Sequence, residues 1–146
     1  MKIYLDNCSL QRPLDDQTQM RVENETEAII EILTLCETGD LTLISSDVLQ
    51  FEIKAILDLE RRETSLGILR IARNKVLTDS KIERRAQEFV KVGIKSLDAL
   101  HLASAEAGQA DYFCTCDDKL LKKAKTISDL KIKAISPLEL TEEILK

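Results

Sequence analysis

Short runs of apolar and β-branched residues alternate with longer helical patterns along this chain of 146 residues. Strands that are separated by helices form a mostly parallel sheet covered on both faces, so this alternation narrows the choice of fold considerably. We predict a three-layer α/β/α fold with a central parallel sheet of about five strands, forming a single domain over residues 1–146. The predicted strands are Lys2–Leu5, Leu41–Ile44, Lys75–Leu77, Asp111–Thr115 and Ile132–Ile135.

The helical patterns lie between these runs. The region from Asp47 to about Asn74 is predicted to form two helices with a break near Glu60–Ser65. The other predicted helices are Met20–Thr38, Lys81–Val92, Leu97–Ala107, Asp118–Ile127 and a last one after Pro137. The predicted N-caps are Ser46, Ser80 and Ser96, and the predicted C-terminal caps are Gly39 and Gly108.

Composition and charge restrict the class of protein. Hydrophobic residues make up 44% of the chain and charged residues 32%, which is typical of a globular protein. No apolar stretch is long enough to span a membrane and the N-terminus does not resemble a signal peptide, so we expect a cytoplasmic protein without membrane contact. The net charge of −5 argues against a broad nucleic-acid-coating surface.

The charge is unevenly distributed. Residues 1–60 contain 4 Lys/Arg and 13 Asp/Glu, whereas residues 61–146 contain 17 Lys/Arg and 13 Asp/Glu. A basic cluster near the C-terminus includes Lys119, Lys122 and Lys123, and such a cluster can hold a phosphate backbone locally. Most of the other basic clusters are better interpreted as solvated helix faces.

Carboxylates follow two of the predicted strands directly. Asp6 ends the first strand, and Asp117 and Asp118 follow Asp111–Thr115. Sites in open α/β sheets form beyond the carboxyl ends of the strands, so these acids are candidates for one site.

Two helices contribute further acids. Glu52 lies on an otherwise apolar stripe of its helix, where a carboxylate is seldom buried unless it is paired or coordinated. Asp98 lies in the first turn of a mostly apolar helix, where the helix dipole alone already stabilises an anion. His101 lies one turn after Asp98 and is interpreted as a hydrogen-bonded support or rim residue outside the site.

Asp6, Glu52, Asp98 and Asp117 thus come from four elements, two at strand ends and two near helix starts. Carboxylates that converge in one cleft repel each other unless a cation lies among them. Oxygen ligands without Cys or His favour Mg²⁺ or Mn²⁺, which act on phosphate esters by activating a bound water.

The stretches YLDNCSLQRPLDDQ, ISSDVLQFE, LDALHLASAEAGQADYF and TCDDKLLKKA resemble successive blocks of a PIN domain. Within that family, the chain is similar to the small bacterial proteins related to the ribonuclease toxins of VapBC toxin–antitoxin pairs. The resemblance implies a Mg²⁺- or Mn²⁺-dependent endonuclease acting on RNA, with an antitoxin protein as partner and dimerisation as a further family expectation.

The family's acidic residues correspond to Asp6, Glu52, Asp98 and Asp117, which are the predicted metal ligands and catalytic residues. The sequence departs from the common family pattern at Cys8, where many members have another polar residue. Supporting residues under this interpretation are Asn7, Ser46, Thr115 and Asp118, and the residues that contact the RNA backbone are Lys119, Lys122 and Lys123.

Two alternatives stay open from the sequence. The first is a PIN scaffold that binds RNA or a partner protein without catalysis, which the net negative charge and Cys8 favour. The second is a receiver-like phosphoacceptor domain, in which Asp79 after the third strand would be the acceptor.

Overall fold

The computed structural model describes residues 1–145 and contains five strands and eight helices in that part of the chain. The strands are β1 (Lys2–Leu5), β2 (Thr42–Ser46), β3 (Asn74–Val76), β4 (Tyr112–Cys114) and β5 (Lys133–Ile135). The helices are α1 (Asn7–Gln11), α2 (Met20–Thr38), α3 (Asp47–Lys54), α4 (Leu59–Leu69), α5 (Ser80–Lys91), α6 (Ser96–Ala107), α7 (Asp118–Lys125) and α8 (Pro137–Ile144), with a 3-10 turn at Arg12–Leu14.

The five strands form one parallel sheet in the order β3-β2-β1-β4-β5, with helices on both sides. Ile3 of β1 is paired with Leu43 on one side and with Tyr112 on the other. This architecture confirms the predicted three-layer α/β/α fold. The strand order differs from the 2-1-3-4-5 order of receiver-type folds, and Asp79 caps α5 by accepting a hydrogen bond from the backbone N–H of Ile82.

The central strand is buried on both faces because helices cover both faces of the sheet. Ile3, Tyr4 and Leu5 are all fully buried. The Tyr4 ring stacks on Phe113 of the neighbouring strand with a centroid distance of 5.6 Å. The packing of β1 on both faces therefore determines where Asp6 emerges from the sheet.

The helix break in the second helical region is not where the sequence analysis expects it. α3 ends at Lys54 and α4 begins at Leu59, so the expected break near Glu60–Ser65 is wrong. Asp58 is the physical reason, because its carboxylate accepts the backbone N–H of Arg61 at 2.9 Å and caps α4.

Of the three expected serine N-caps, only Ser46 is confirmed, with its hydroxyl accepting the backbone N–H of Leu49 at 3.0 Å. The cap of α5 is Asp79, one residue before Ser80. α6 begins after Lys95, which provides no side-chain cap, so Ser96 is its first helical residue. In both helices the first turn starts one residue earlier than expected.

Both expected glycine caps end their helices, but they act in different ways. Gly39 ends α2 with φ of 89°, a left-handed conformation that glycine adopts without strain. Gly108 ends α6 with φ of −78°, which any residue can adopt. A Cβ atom at Gly108 would lie 2.8 Å from Val76 Cγ2, so glycine is needed there for the close approach of α6 to the sheet.

None of the helices within residues 1–145 combines the length and the apolar character that a membrane span requires.

Candidate functional site

A cleft of about 160 Å³ lies beyond the carboxyl ends of β1 and β4. All four predicted carboxylates line this cleft, although they come from four different elements. The lining residues are Asp6, Asn7, Cys8, Glu52, Asp98, His101 and Asp117.

Asp6 is the most deeply placed carboxylate, with only 4% of the residue exposed. It caps α1 by accepting the backbone N–H of Ser9 at 3.1 Å, and the Cys8 thiol donates to it at 3.0 and 3.2 Å. Burial raises the pKa of Asp6, while hydrogen bonds from Thr115, Cys8 and Ser9 act in the opposite direction. Cys8 thus occupies its place in the cleft as a hydrogen-bond donor to Asp6.

Asp98 lies in the first turn of α6 and is partly buried. Burial is the largest cause that raises its pKa, followed by repulsion from Asp6, and Asp117 and Glu52 add to that repulsion. Nearby His101 acts in the opposite direction. The four acids are therefore close enough to interact electrostatically.

Glu52 reaches the cleft from the second half of α3, where it is the sixth of eight residues. The expectation that it lies near a helix start is therefore wrong. The helix rises only about 1.5 Å per residue, so five residues carry Glu52 less than about 8 Å from the sheet edge. One carboxylate oxygen, Oε1, contacts His101 Nε2 at 3.0 Å.

Asp117 caps α7 and is exposed at the mouth of the cleft. One of its oxygens accepts the backbone N–H groups of Lys119 at 3.0 Å and Leu120 at 3.2 Å. The Asp117 backbone N–H donates to Thr115 Oγ1 at 3.0 Å. The same Thr115 hydroxyl lies 3.4 Å from Cys8 Sγ, which itself donates to Asp6.

Asp118 is directed elsewhere. Both of its oxygens accept hydrogen bonds from the Arg21 guanidinium at 2.7 Å, and this pair lowers the pKa of Asp118. It is not among the residues that line the cleft, whereas its neighbour Asp117 is.

The donor set of the cleft fits a hard divalent cation. Four carboxylates line it, and the ion pairs within residues 1–145 include no Lys or Arg partner for any of them. The buried Oδ1 of Asn7 also has no hydrogen-bond partner in the described part of the chain. Oxygen donors of this kind suit Mg²⁺ or Mn²⁺.

The side chains are not drawn together around such an ion. Among residues 1–145, no group of three or more His, Cys, Asp or Glu side chains is already arranged to hold a metal ion. Mutual repulsion keeps unpaired carboxylates apart, so a cation would have to bring them closer.

His101 is expected from the sequence to lie outside the site, but the structure places it in the lining of the cleft and in contact with Glu52. The available signal was its spacing of three residues from Asp98, which places both on one side of α6. Its direct contact with Glu52, 49 residues away in the chain, could not be read from local pattern.

A second, smaller hollow of about 50 Å³ adjoins the first and shares Asp98 and Asp117 with it. Lys95, Lys119 and Lys123 line this hollow, and we call it the lysine hollow. The lysine hollow is also lined by Gly93, Ile94 and Leu120. Lys122 is exposed and does not line it.

Comparisons with known proteins concern the fold and the family of the chain. No curated protein matches the sequence. Among solved structures, a chain from the crystal structure of VapBC2 from Rickettsia felis, bound to a DNA fragment from their promoter, matches with a TM-score of 0.58 and 16% identity. The match covers 93% of this chain and 98% of that one, which establishes similarity of fold. The family model for the PIN domain matches residues 10–126, a range that includes Glu52, Asp98 and Asp117. The chain belongs to the PIN domain family.

Proposed function

We propose that this protein is an endoribonuclease that depends on Mg²⁺ or Mn²⁺. The observation that carries the proposal is the cleft with four carboxylates from four elements and no Lys or Arg ion-pair partner for them within residues 1–145. Such an arrangement is costly without a bound cation. The pKa of Asp98 is raised by burial first and by repulsion from Asp6 second. The family to which the chain belongs supports a nuclease.

Each carboxylate has a distinct part in this proposal. Asp6, Asp98 and Asp117 bind the cation directly, and Glu52 binds it directly or through a water molecule. A bound divalent cation supplies an activated water and neutralises charge that develops on the phosphate. The helix caps made by Asp6 and Asp117 each engage one carboxylate oxygen with backbone N–H groups, which fixes the direction of both side chains.

In this proposal the RNA strand lies across the cleft and the lysine hollow. Lys119 and Lys123 offer positive charge beside the acidic cleft, so they hold backbone phosphates next to the cleaved bond. In-line attack of water on the phosphodiester leaves a 5′-phosphate and a 3′-hydroxyl. Lys95, which the sequence analysis did not select, joins them because it lines the same hollow.

The proposal extends to a protein partner. The solved structure with similar fold is described as a VapBC2 complex bound to promoter DNA, and this supports an antitoxin as partner of the present chain. Large apolar side chains that stay exposed, such as Phe51 at 72% in α3 and Leu57 at 96% between α3 and α4, offer surface for such a partner.

Cleavage of RNA by purified protein tests the proposal. We expect cleavage with Mg²⁺ or Mn²⁺, no cleavage with EDTA, and none with Asp98→Asn. The matched control is Glu27→Gln, an acid-to-amide change at an exposed position of α2, which should cleave like the wild type. Equal cleavage by wild type and Asp98→Asn would contradict the proposal. RNA binding without metal-dependent cleavage would favour the non-catalytic scaffold.

A further inference from the structure

A chain of buried polar groups leads from the sheet to the cleft. Ser46 Oγ lies 2.7 Å from Tyr4 Oη, which also lies 2.7 Å from His101 Nδ1. On the other side of the imidazole ring, Nε2 lies 3.0 Å from Glu52 Oε1. Ser46, Tyr4 and His101 are each at most 1% exposed, so each of these groups needs a partner within the protein.

The donor and the acceptor of each hydrogen bond in this series of polar groups can be assigned, starting from Glu52. The Glu52 carboxylate only accepts, so His101 Nε2 carries a hydrogen. Ser46 Oγ already accepts the backbone N–H of Leu49, and its own hydrogen can go to Tyr4 Oη. Tyr4 then donates to His101 Nδ1, which must be unprotonated.

The alternative assignment leaves a group unsatisfied. If Nδ1 also carried a hydrogen, Tyr4 would accept it and donate its own hydrogen to Ser46. The buried Ser46 hydroxyl would then have no acceptor among the contacts within residues 1–145. The neutral imidazole with its hydrogen on Nε2 satisfies all four groups.

We propose that His101 is a positioning residue that holds Glu52 through Nε2–H, while Tyr4 holds the imidazole ring through Nδ1. The inference rests on the proposed function for what Glu52 does, and goes beyond it by naming what places Glu52. With Oε1 engaged by His101, the second oxygen of Glu52 stays available to the cation or its water. Second-shell hydrogen bonds of this kind orient metal ligands and restrict their motion.

The charges around His101 support this role. Glu52 contacts the ring directly at Nε2, and Asp6 and Asp98 are further carboxylates that line the same cleft as His101. Tyr4 and Ser46 on the opposite side are uncharged hydroxyl groups. His101 is the one hydrogen-bond donor to the Glu52 side chain within residues 1–145, so without it Glu52 would have no donor from that part of the protein holding it in the cleft.

The first test is the tautomer of His101, measured by NMR with ¹⁵N-labelled histidine in EDTA at neutral pH. His101 is the only histidine of the chain, so the spectrum reports one imidazole. We expect a single neutral tautomer with hydrogen on Nε2, and loss of that single tautomer in Glu52→Ala. A hydrogen on Nδ1 in the wild type, alone or with Nε2, would overturn the inference.

The second test is Mn²⁺ affinity, measured by calorimetry for two variants of His101. One keeps a hydrogen-bond donor at the position of Nε2, and the other does not. His101→Gln keeps an amide donor that reaches Glu52, whereas His101→Asn is too short to reach it. We expect His101→Asn to weaken Mn²⁺ binding by about 10- to 100-fold, and His101→Gln to restore much of it. Equal loss in both variants would contradict a positioning role.

The same variants in a Glu52→Ala background complete the test. If His101 acts through Glu52, His101→Asn has no further effect on Mn²⁺ affinity once Glu52 is removed. Tyr4→Phe, which removes only one hydroxyl, should show the same dependence on Glu52 and replaces His101→Asn if that variant does not fold. Losses that simply add would overturn the inference. Wild type that binds Mn²⁺ but cleaves no RNA overturns the nuclease function alone.

Discussion

The carboxylates of Asp6 and Asp98 face the same cleft, where burial first and repulsion from Asp6 second raise the pKa of Asp98. In the absence of a cation this repulsion destabilises the folded protein. A divalent cation that binds both groups reverses the effect and stabilises the fold according to its concentration relative to its Kd.

Asp98→Asn therefore separates the destabilising repulsion between the carboxylates from the stabilisation that a bound cation gives. In EDTA at neutral pH, we expect the variant to be more stable than the wild type by on the order of 0.5 kcal/mol, because solvent screens a partly exposed charge. With Mn²⁺, the wild type should gain stability and Asp98→Asn should gain little. Thermal unfolding in EDTA and at several Mn²⁺ concentrations measures both. A variant that is less stable in EDTA, with Glu27→Gln unchanged, would contradict the repulsion.

The pH dependence of this difference follows from the sign of the pKa shifts. The folded protein binds the Asp6 and Asp98 protons more tightly than the unfolded chain does, because both pKa values are raised from 3.8. The stability that these tighter-bound protons give to the folded protein is fully present below pH 3.8. It is lost as the pH rises through the pKa values of the two groups in the folded protein. In EDTA, the advantage of Asp98→Asn should be small near about pH 4 and grow towards about pH 7. Unfolding followed by circular dichroism across that range measures it, and an advantage that shrinks as pH rises would contradict the assignment.

Local sequence pattern was sufficient for much of the fold. The bounds of β1 and α2 agree with the expected Lys2–Leu5 and Met20–Thr38, since a buried strand and a long helix both have strong hydrophobic periodicity. The acids after β1 and β4 were found because parallel strands end at one edge of the sheet. These features could be predicted because they depend only on the strand or helix in which, or directly after which, the residues lie.

Partners that are distant in sequence were not predictable in the same way. The contact between His101 and Glu52 joins two helices that are far apart in the chain. Asp118 is adjacent to Asp117 and has the same side chain, yet it pairs with Arg21 of α2. Which neighbour of two faces the cleft depends on helix packing, which local periodicity does not report.

The close contact between Gly108 and Val76 predicts a cost for any side chain at the end of α6. In Gly108→Ala, the new Cβ atom would lie 2.8 Å from Val76 Cγ2 and 3.3 Å from Ile44 Cγ2. We expect a loss of about 1–3 kcal/mol in the free energy of unfolding. The control is Gly67→Ala within α4, where the new Cβ atom would meet nothing within 4 Å among residues 1–145 apart from its chain neighbours and its own helix backbone. This change should stabilise the protein by about 0.4–1 kcal/mol.

Urea denaturation of both glycine variants measures these changes. Val76→Ala combined with Gly108→Ala should recover part of the loss, because it removes the methyl group that the new Cβ meets. A Gly108→Ala protein as stable as the wild type would show that α6 shifts away from the sheet without cost.

The arrangement of the lysines predicts which of them binds the RNA backbone. Lys119 and Lys123 line the lysine hollow beside Asp98 and Asp117, whereas Lys122 on the same helix does not. Lys119→Gln should therefore weaken RNA binding and lower the slope of log K against log salt concentration by about 1, since one phosphate contact is lost. Lys122→Gln is the matched control, with the same change of charge three residues away, and its slope should stay close to that of the wild type. Fluorescence anisotropy with a labelled RNA at several salt concentrations, in EDTA to prevent cleavage, gives both slopes. Equal changes in the two variants would mean that the helix contributes only general positive charge, and that the hollow next to the carboxylates does not hold a particular phosphate.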